Sequence, residues 1–220
     1  MKITKHRMDQ LDEARKIQKD CLNNHLPCPP VVWWRAEIID NNGKIDERVE
    51  SKCNSYIRNG LNLMALNSMY LPESAVPTDS TPPFQNGLIS FKKQDGKMLN
   101  ASYPTVGYNK TVKPTIRLGS NTSPESLDIY NILIPSDFVN NGSLIEFDFD
   151  DINNKLINSI TSNYVNTSGS DITVTEAGIQ ITVTGNGTGT LLVVRDLLAE
   201  PIIVPPTKHI VFTYNFELLY

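Results

Sequence analysis

Apolar side chains recur early in the chain at Ile3, Met8, Leu11, Ala14, Ile17 and Cys21. The steps are mostly three and four residues, which places them on one stripe of a helix. Lys5, Asp9, Asp12, Glu13, Lys16 and Lys19 occupy the other face, and Asn23-Asn24 followed by Pro27, Pro29 and Pro30 ends the element. Such a helix cannot bury its stripe alone, so it must lie on its own body or on another chain. Val31 to Asp40 reads as a strand, and Asn41-Asn42-Gly43 as a hairpin turn, because Asn and Gly tolerate positive φ. Lys44 to Glu50 is the returning strand. Tyr56, Ile57, Gly60, Leu61, Met64, Ala65 and Met69 restore helical spacing and predict a second helix from Asn54 to Tyr70.

Leu71 to Pro83 is a linker rich in Pro, Ser and Thr. Beyond it the hydrophobic period falls from 3.6 to 2. Strands are predicted at Gly87–Lys93 and Lys97–Ser102 around Gln94-Asp95-Gly96, and at Pro114–Gly119, with a polar loop at Ser120–Ser126. Ile145-Glu146-Phe147-Asp148-Phe149-Asp150 alternates as a half-buried strand should. An apolar segment follows at Asn154–Asn163. Asp171–Thr184 and Thr190–Leu198 flank a glycine hairpin loop at Gly185–Gly189, and Lys208–Leu219 alternates through Ile210, Phe212, Tyr214 and Phe216. Many short strands between turn signals predict a mainly β fold, an antiparallel β-sandwich with an N-terminal helix and hairpin segment. The expected division is residues 1–70 for helix, hairpin and helix, 71–83 for the linker, and 84–220 for the sandwich.

Composition narrows the function. The 220 residues are 40% hydrophobic and 20% charged, which is enough apolar material for a core. The net charge of −4 offers no general basic surface for nucleic acid, although a basic patch on one face escapes that test. No apolar run approaches the roughly 20 residues of a membrane span. Charged residues at the amino terminus are not followed by an apolar segment, so no secretory signal is expected. Three cysteines, Cys21, Cys28 and Cys53, argue against a disulfide framework and for synthesis in a reducing compartment. The sequons at Asn100, Asn109, Asn121, Asn141, Asn166 and Asn186 then reflect only a sequence rich in Asn, Ser and Thr.

Candidate chemistry is sparse. Cys21, His25, Cys28 and Cys53 could supply zinc ligands, but C-x3-H-x2-C is not a common zinc template and a second close pair is missing. Glu146, Asp148, Asp150 and Asp151 lack the glycine turn of a calcium loop, so a solvated strand face is expected. Gly185, Gly187 and Gly189 lie between two strands, with spacing unlike the dinucleotide fingerprint. His6, His25 and His209 belong to no recognisable nucleophile or metal motif, so catalysis is not expected. Trp33-Trp34 on a strand points to both faces, so either both indoles are covered within the chain, or one fills the core while its neighbour is left to anchor another subunit.

The carboxyl-terminal half resembles a recurrent family of tailed-bacteriophage virion proteins. The resemblance rests on the order of several segments. Ile172-Thr173-Val174-Thr175-Glu176-Ala177-Gly178-Ile179 is similar to the family's "EAGLF" turn. After a glycine-rich loop, Leu191-Leu192-Val193-Val194-Arg195-Asp196-Leu197-Leu198-Ala199-Glu200-Pro201 is similar to its "LLARDVF" strand, and Ile202 to Tyr214 to its terminal strand. Thr115-Ile116-Arg117-Leu118-Gly119-Ser120 resembles the family's glycine entry, with Ser120-Asn121 in place of the last glycine step. Asn54-Ser55-Tyr56-Ile57-Arg58-Asn59 resembles the start of its first long helix. The likeness covers roughly residues 50–220.

It implies a non-enzymatic structural role in the virion, as a gut-phage-like ring protein of the neck or tail in the portal-to-tail conduit. The implied partners are copies of itself and other virion proteins, with no cofactor, membrane, sequence-specific nucleic acid or small substrate. A capsid decoration or head-fibre protein, and a carbohydrate-binding module of a receptor-binding fibre, are the rival readings. The tryptophan pair lies outside the sandwich segment, which counts against a lectin. Glu176-Ala177-Gly178 and Arg195-Asp196 are expected to be neighbouring fold elements of one hairpin, with Gly178 marking a bulge or a close backbone approach. A closed ring of copies would place Met8, Leu11, Ile17, Trp33 and Trp34 against neighbours.

Overall fold

The computed structural model describes residues 1–26, 30–53, 84–85, 88–92, 98–101, 114–123, 131–135, 137–185 and 187–219. The expected helix at 54–70 and the linker at 71–83 lie outside them. The chain is a mainly β, β-sandwich-like fold with one short N-terminal helix.

The elements in order are β1 (Lys2–His6), α1 (Met8–Asn23), β2 (Val31–Ile39), β3 (Ile45–Lys52), β4 (Phe84–Gln85), β5 (Leu88–Lys92), β6 (Met98–Ala101) and β7 (Thr115–Gly119). The longer strands follow: β8 (Phe138–Asp150), β9 (Lys155–Asn166), β10 (Ile172–Gly185), β11 (Gly187–Val204) and β12 (His209–Leu219). They form one six-stranded sheet, β1-β3-β2-β12-β9-β8, and two three-stranded sheets, β11-β10-β7 and β4-β5-β6. The chain divides into two compact units. Unit 1 is Met1–Cys53, Pro135–Val174 and Ala199–Tyr220; unit 2 is Asn54–Ile134 and Thr175–Leu198. The hairpin β2–β3 therefore belongs to one sheet with strands from beyond residue 135.

In unit 1, β12 is the inner strand that joins both ends of the sequence. It pairs antiparallel with β2, Tyr214 opposite Trp34, and with β9, Tyr214 opposite Ile160. Alternation puts Trp34, Ala36, Ile38, Ile210, Phe212, Tyr214 and Ile160 on one face, and all of them are buried. Trp34 stacks on Phe212 with ring centroids 5.1 Å apart. The β2–β3 turn is held by Asp40, whose carboxylate accepts the backbone N–H groups of Asn42 and Lys44, while Gly43 takes a φ of 81°.

Ile3 departs from its expected place. It lies on β1, a strand parallel to β3, and not on the helix stripe. The five-residue step from Ile3 to Met8 is the break in helical spacing, and Arg7, at φ 53° and ψ 31°, turns the chain from strand to helix. The buried stripe of α1 is also rotated from the expected one: Leu11 and Gln18 are buried, and Ile17 is half exposed.

In unit 2, β10 pairs antiparallel with β7, Ile179 opposite Ile116. The strands β10 and β11 run to Gly185 and from Gly187, so the expected five-residue loop at Gly185–Gly189 is mostly strand. Arg195 Nε donates to Glu176 Oε2 at 2.7 Å, and Arg195 Nη2 to the carbonyl of Ser123 at 3.1 Å. Glu176 and Arg195 are each 1% exposed. A Cβ on Gly178 would press against the Val194 carbonyl oxygen, and one on Gly119 would sit 2.6 Å from Glu176 Oε1. These two glycines let β7, β10 and β11 close around the ion pair.

Candidate assembly surface

The six-stranded sheet ends at β8, whose partner among the described residues is β9. The register continues the core face onto this strand: Ile145 is opposite Ile160, Phe147 opposite Asn158 and Phe149 opposite Leu156. There the cover stops. Phe147 and Phe149 are each 63% exposed, and Ile152 in the turn beyond them is 92% exposed. The strand was expected to be half buried on its phenylalanine face; at a sheet edge the period of 2 records alternation and not burial. On the other face stand Leu144, Glu146, Asp148 and Asp150.

The acidic run behaves as a strand face closed by a turn. Asp150 accepts the Asn153 side-chain amide at 2.7 Å and its backbone N–H at 3.1 Å. Those bonds hold its carboxyl below the usual range. Among the described residues, no three His, Cys, Asp or Glu side chains are grouped as a metal would require.

The opposite edge of the sheet is β1, where Lys2 lies 2.9 Å from Glu47 and Lys5 3.6 Å from Glu50. The Glu47 hydrogen bond and charge raise the Lys2 pKa. Beyond β1 the chain enters α1, which is tied down by a polar clamp. Arg15 grips the buried Glu217 carboxylate through Nε at 3.1 Å and Nη2 at 3.0 Å, and the Gln18 amide donates to the Glu217 carbonyl at 2.9 Å.

This docking redistributes the expected neighbour contacts. Leu11 and Trp34 are 1% and 2% exposed within their own chain, which removes them from the set. Met8 and Trp33 are half buried, with the indole N–H of Trp33 unpartnered, and Ile17 is exposed. Cys21 is half buried and Cys53 buried, while Cys28 lies outside the described residues. The histidines are separate: His6 on β1, exposed His25 after α1, and His209 at the start of β12, with Nδ1 3.3 Å from Asn163 Oδ1. The exposed β8 edge was hidden in the sequence because alternation gives no partner count for a strand. No family model, curated protein or solved structure matches the chain.

Proposed function

We propose that this protein is a non-enzymatic structural component of a tailed-phage virion, a ring or adaptor of the neck or tail present in many copies. One observation carries the many-copy part: the long, exposed edge strand β8 with Phe147, Phe149 and Ile152 in solvent. Contiguous apolar surface of this kind marks contact sites, and long uncovered edges are otherwise blunted because they invite pairing. The phage part rests on the resemblance of residues 50–220. On this reading the chain is made in the host cytoplasm and ends in the particle, its partners being its own copies and portal, neck or tail proteins.

Quantitative peptide mass spectrometry of purified particles, from a phage encoding this chain, tests the reading. A stoichiometry of several copies per particle, located at the neck or tail by reconstruction, is expected. Absence from the particle, or a position on the capsid surface, overturns it.

A further inference from the structure

We infer that the six-stranded sheet continues from one copy of this chain into the next, the β1 edge of one copy pairing in parallel with the β8 edge of its neighbour. Lys5 then faces Glu146, and Ile3 faces Leu144. This rests on the many-copy reading and names its contact.

Strand direction comes first. β8 is antiparallel to β9, β9 to β12, β12 to β2 and β2 to β3, whereas β1 is parallel to β3. β1 and β8 therefore run the same way at opposite edges of one sheet. A rotation about an axis along the strands keeps both direction and faces, so it lays β1 beside β8 in parallel. That contact is head-to-tail and can close into a ring.

Charge selects the same pairing. β8 presents Glu146, Asp148 and Asp150 along one face, and Glu146 and Asp148 make no ion pair among the described residues. On that same face β1 carries Lys5, whose side chain is 57% exposed beside Glu50, while Lys2 is on the opposite face beside Glu47. A twofold contact of β8 on β8 would set acid against acid, and β1 on β1 base against base. Only the mixed contact opposes unlike charges.

The faces fix the register. Following partners across the sheet, Lys5 lies level with Glu50, Arg35, Thr213, Thr161 and Leu144, so Lys5 and Leu144 share a face. Ile3 and Glu146, each two residues away, share it too. Ile3 is 50% exposed and Leu144 54% exposed. A stagger of two residues between copies covers both apolar side chains and brings Lys5 to Glu146. An even shift preserves faces, and staggered register accompanies the strand tilt of closed sheets. Backbone N–H and C=O groups along both edges supply the hydrogen bonds of strand addition.

The test mixes full-length chains carrying Ile3→Cys with chains carrying Leu144→Cys under mild oxidation, the unsubstituted chain serving as control for native thiols. A disulfide joining the peptides of positions 3 and 144 in the mixture, absent when either variant is oxidised alone, is expected. A cross-link of either variant to itself indicates a twofold contact and overturns the proposal. In parallel, Lys5→Glu and Glu146→Lys should each raise the concentration for half-assembly at least about fivefold in sedimentation velocity, and the double exchange should restore it. Circular dichroism reports that each variant is folded. A chain that sediments as a monomer at every concentration overturns the proposal. Oligomers without the 3–144 link overturn this contact while leaving the many-copy reading in place, which fails instead by the particle stoichiometry.

Discussion

Arg195 and Glu176 illustrate how much rests on single buried side chains. Each is 1% exposed and they meet at 2.7 Å. Removing one partner leaves the other charge buried, so Arg195→Ala should destabilise the fold by about 3–5 kcal/mol in urea unfolding. If that variant kept its stability and lost binding of a small ligand, the pair would be a site and not a fold element. Gly178→Ala should cost about 1–3 kcal/mol by the same measurement, because the added methyl group meets the Val194 backbone carbonyl. Asp46 sets a pH dependence. The Lys208 ammonium, 2.9 Å away, holds its carboxyl below the ordinary 3.8. A lowered folded value means the stabilisation is complete above the unfolded pKa and is lost as pH falls through the folded one. Carboxyl NMR titration should show Asp46 titrating below 3.8, and Lys208→Ala should move it back up.

At the scale of elements, the helix is held by a polar clamp on Glu217 beside the buried Leu11. Arg15→Ala should therefore speed amide exchange across residues 8–23, with about 1.5–3 kcal/mol of local stability lost with the charged hydrogen bonds. Gln18 shows why the stripe was misjudged from sequence. A polar residue is fully buried because its amide finds the Glu217 carbonyl, a partner that no local period announces. The strands read better. The Ile210, Phe212, Tyr214 and Phe216 alternation, the Asn41-Asn42-Gly43 turn and the segments at 88–92, 98–101 and 115–119 are found where period and turn chemistry put them. β1 was missed because five residues with two lysines carry little signal, and its parallel pairing with β3 is a non-local choice. The nearness of Glu176 and Arg195 was legible from hairpin order, and the exposure of Phe147 and Phe149 was not, since it depends on which strand ends the sheet.

For the whole molecule, β12 is the strand on which unit 1 closes, hydrogen-bonded to β2 on one side and β9 on the other. A chain cut before His209 should lose the near-ultraviolet circular dichroism of Trp34, whose ring stacks on Phe212. The same placement has a consequence in time. Arg15 and Glu217 are separated by 202 residues, and ribosomes add roughly 5–20 residues per second. The helix and the β2–β3 hairpin therefore wait on the order of ten to forty seconds for the strand that covers them. During that interval the nascent chain shows Trp34, Ala36 and Ile38 to its surroundings, and its survival depends on whatever shields those side chains until β12 is made.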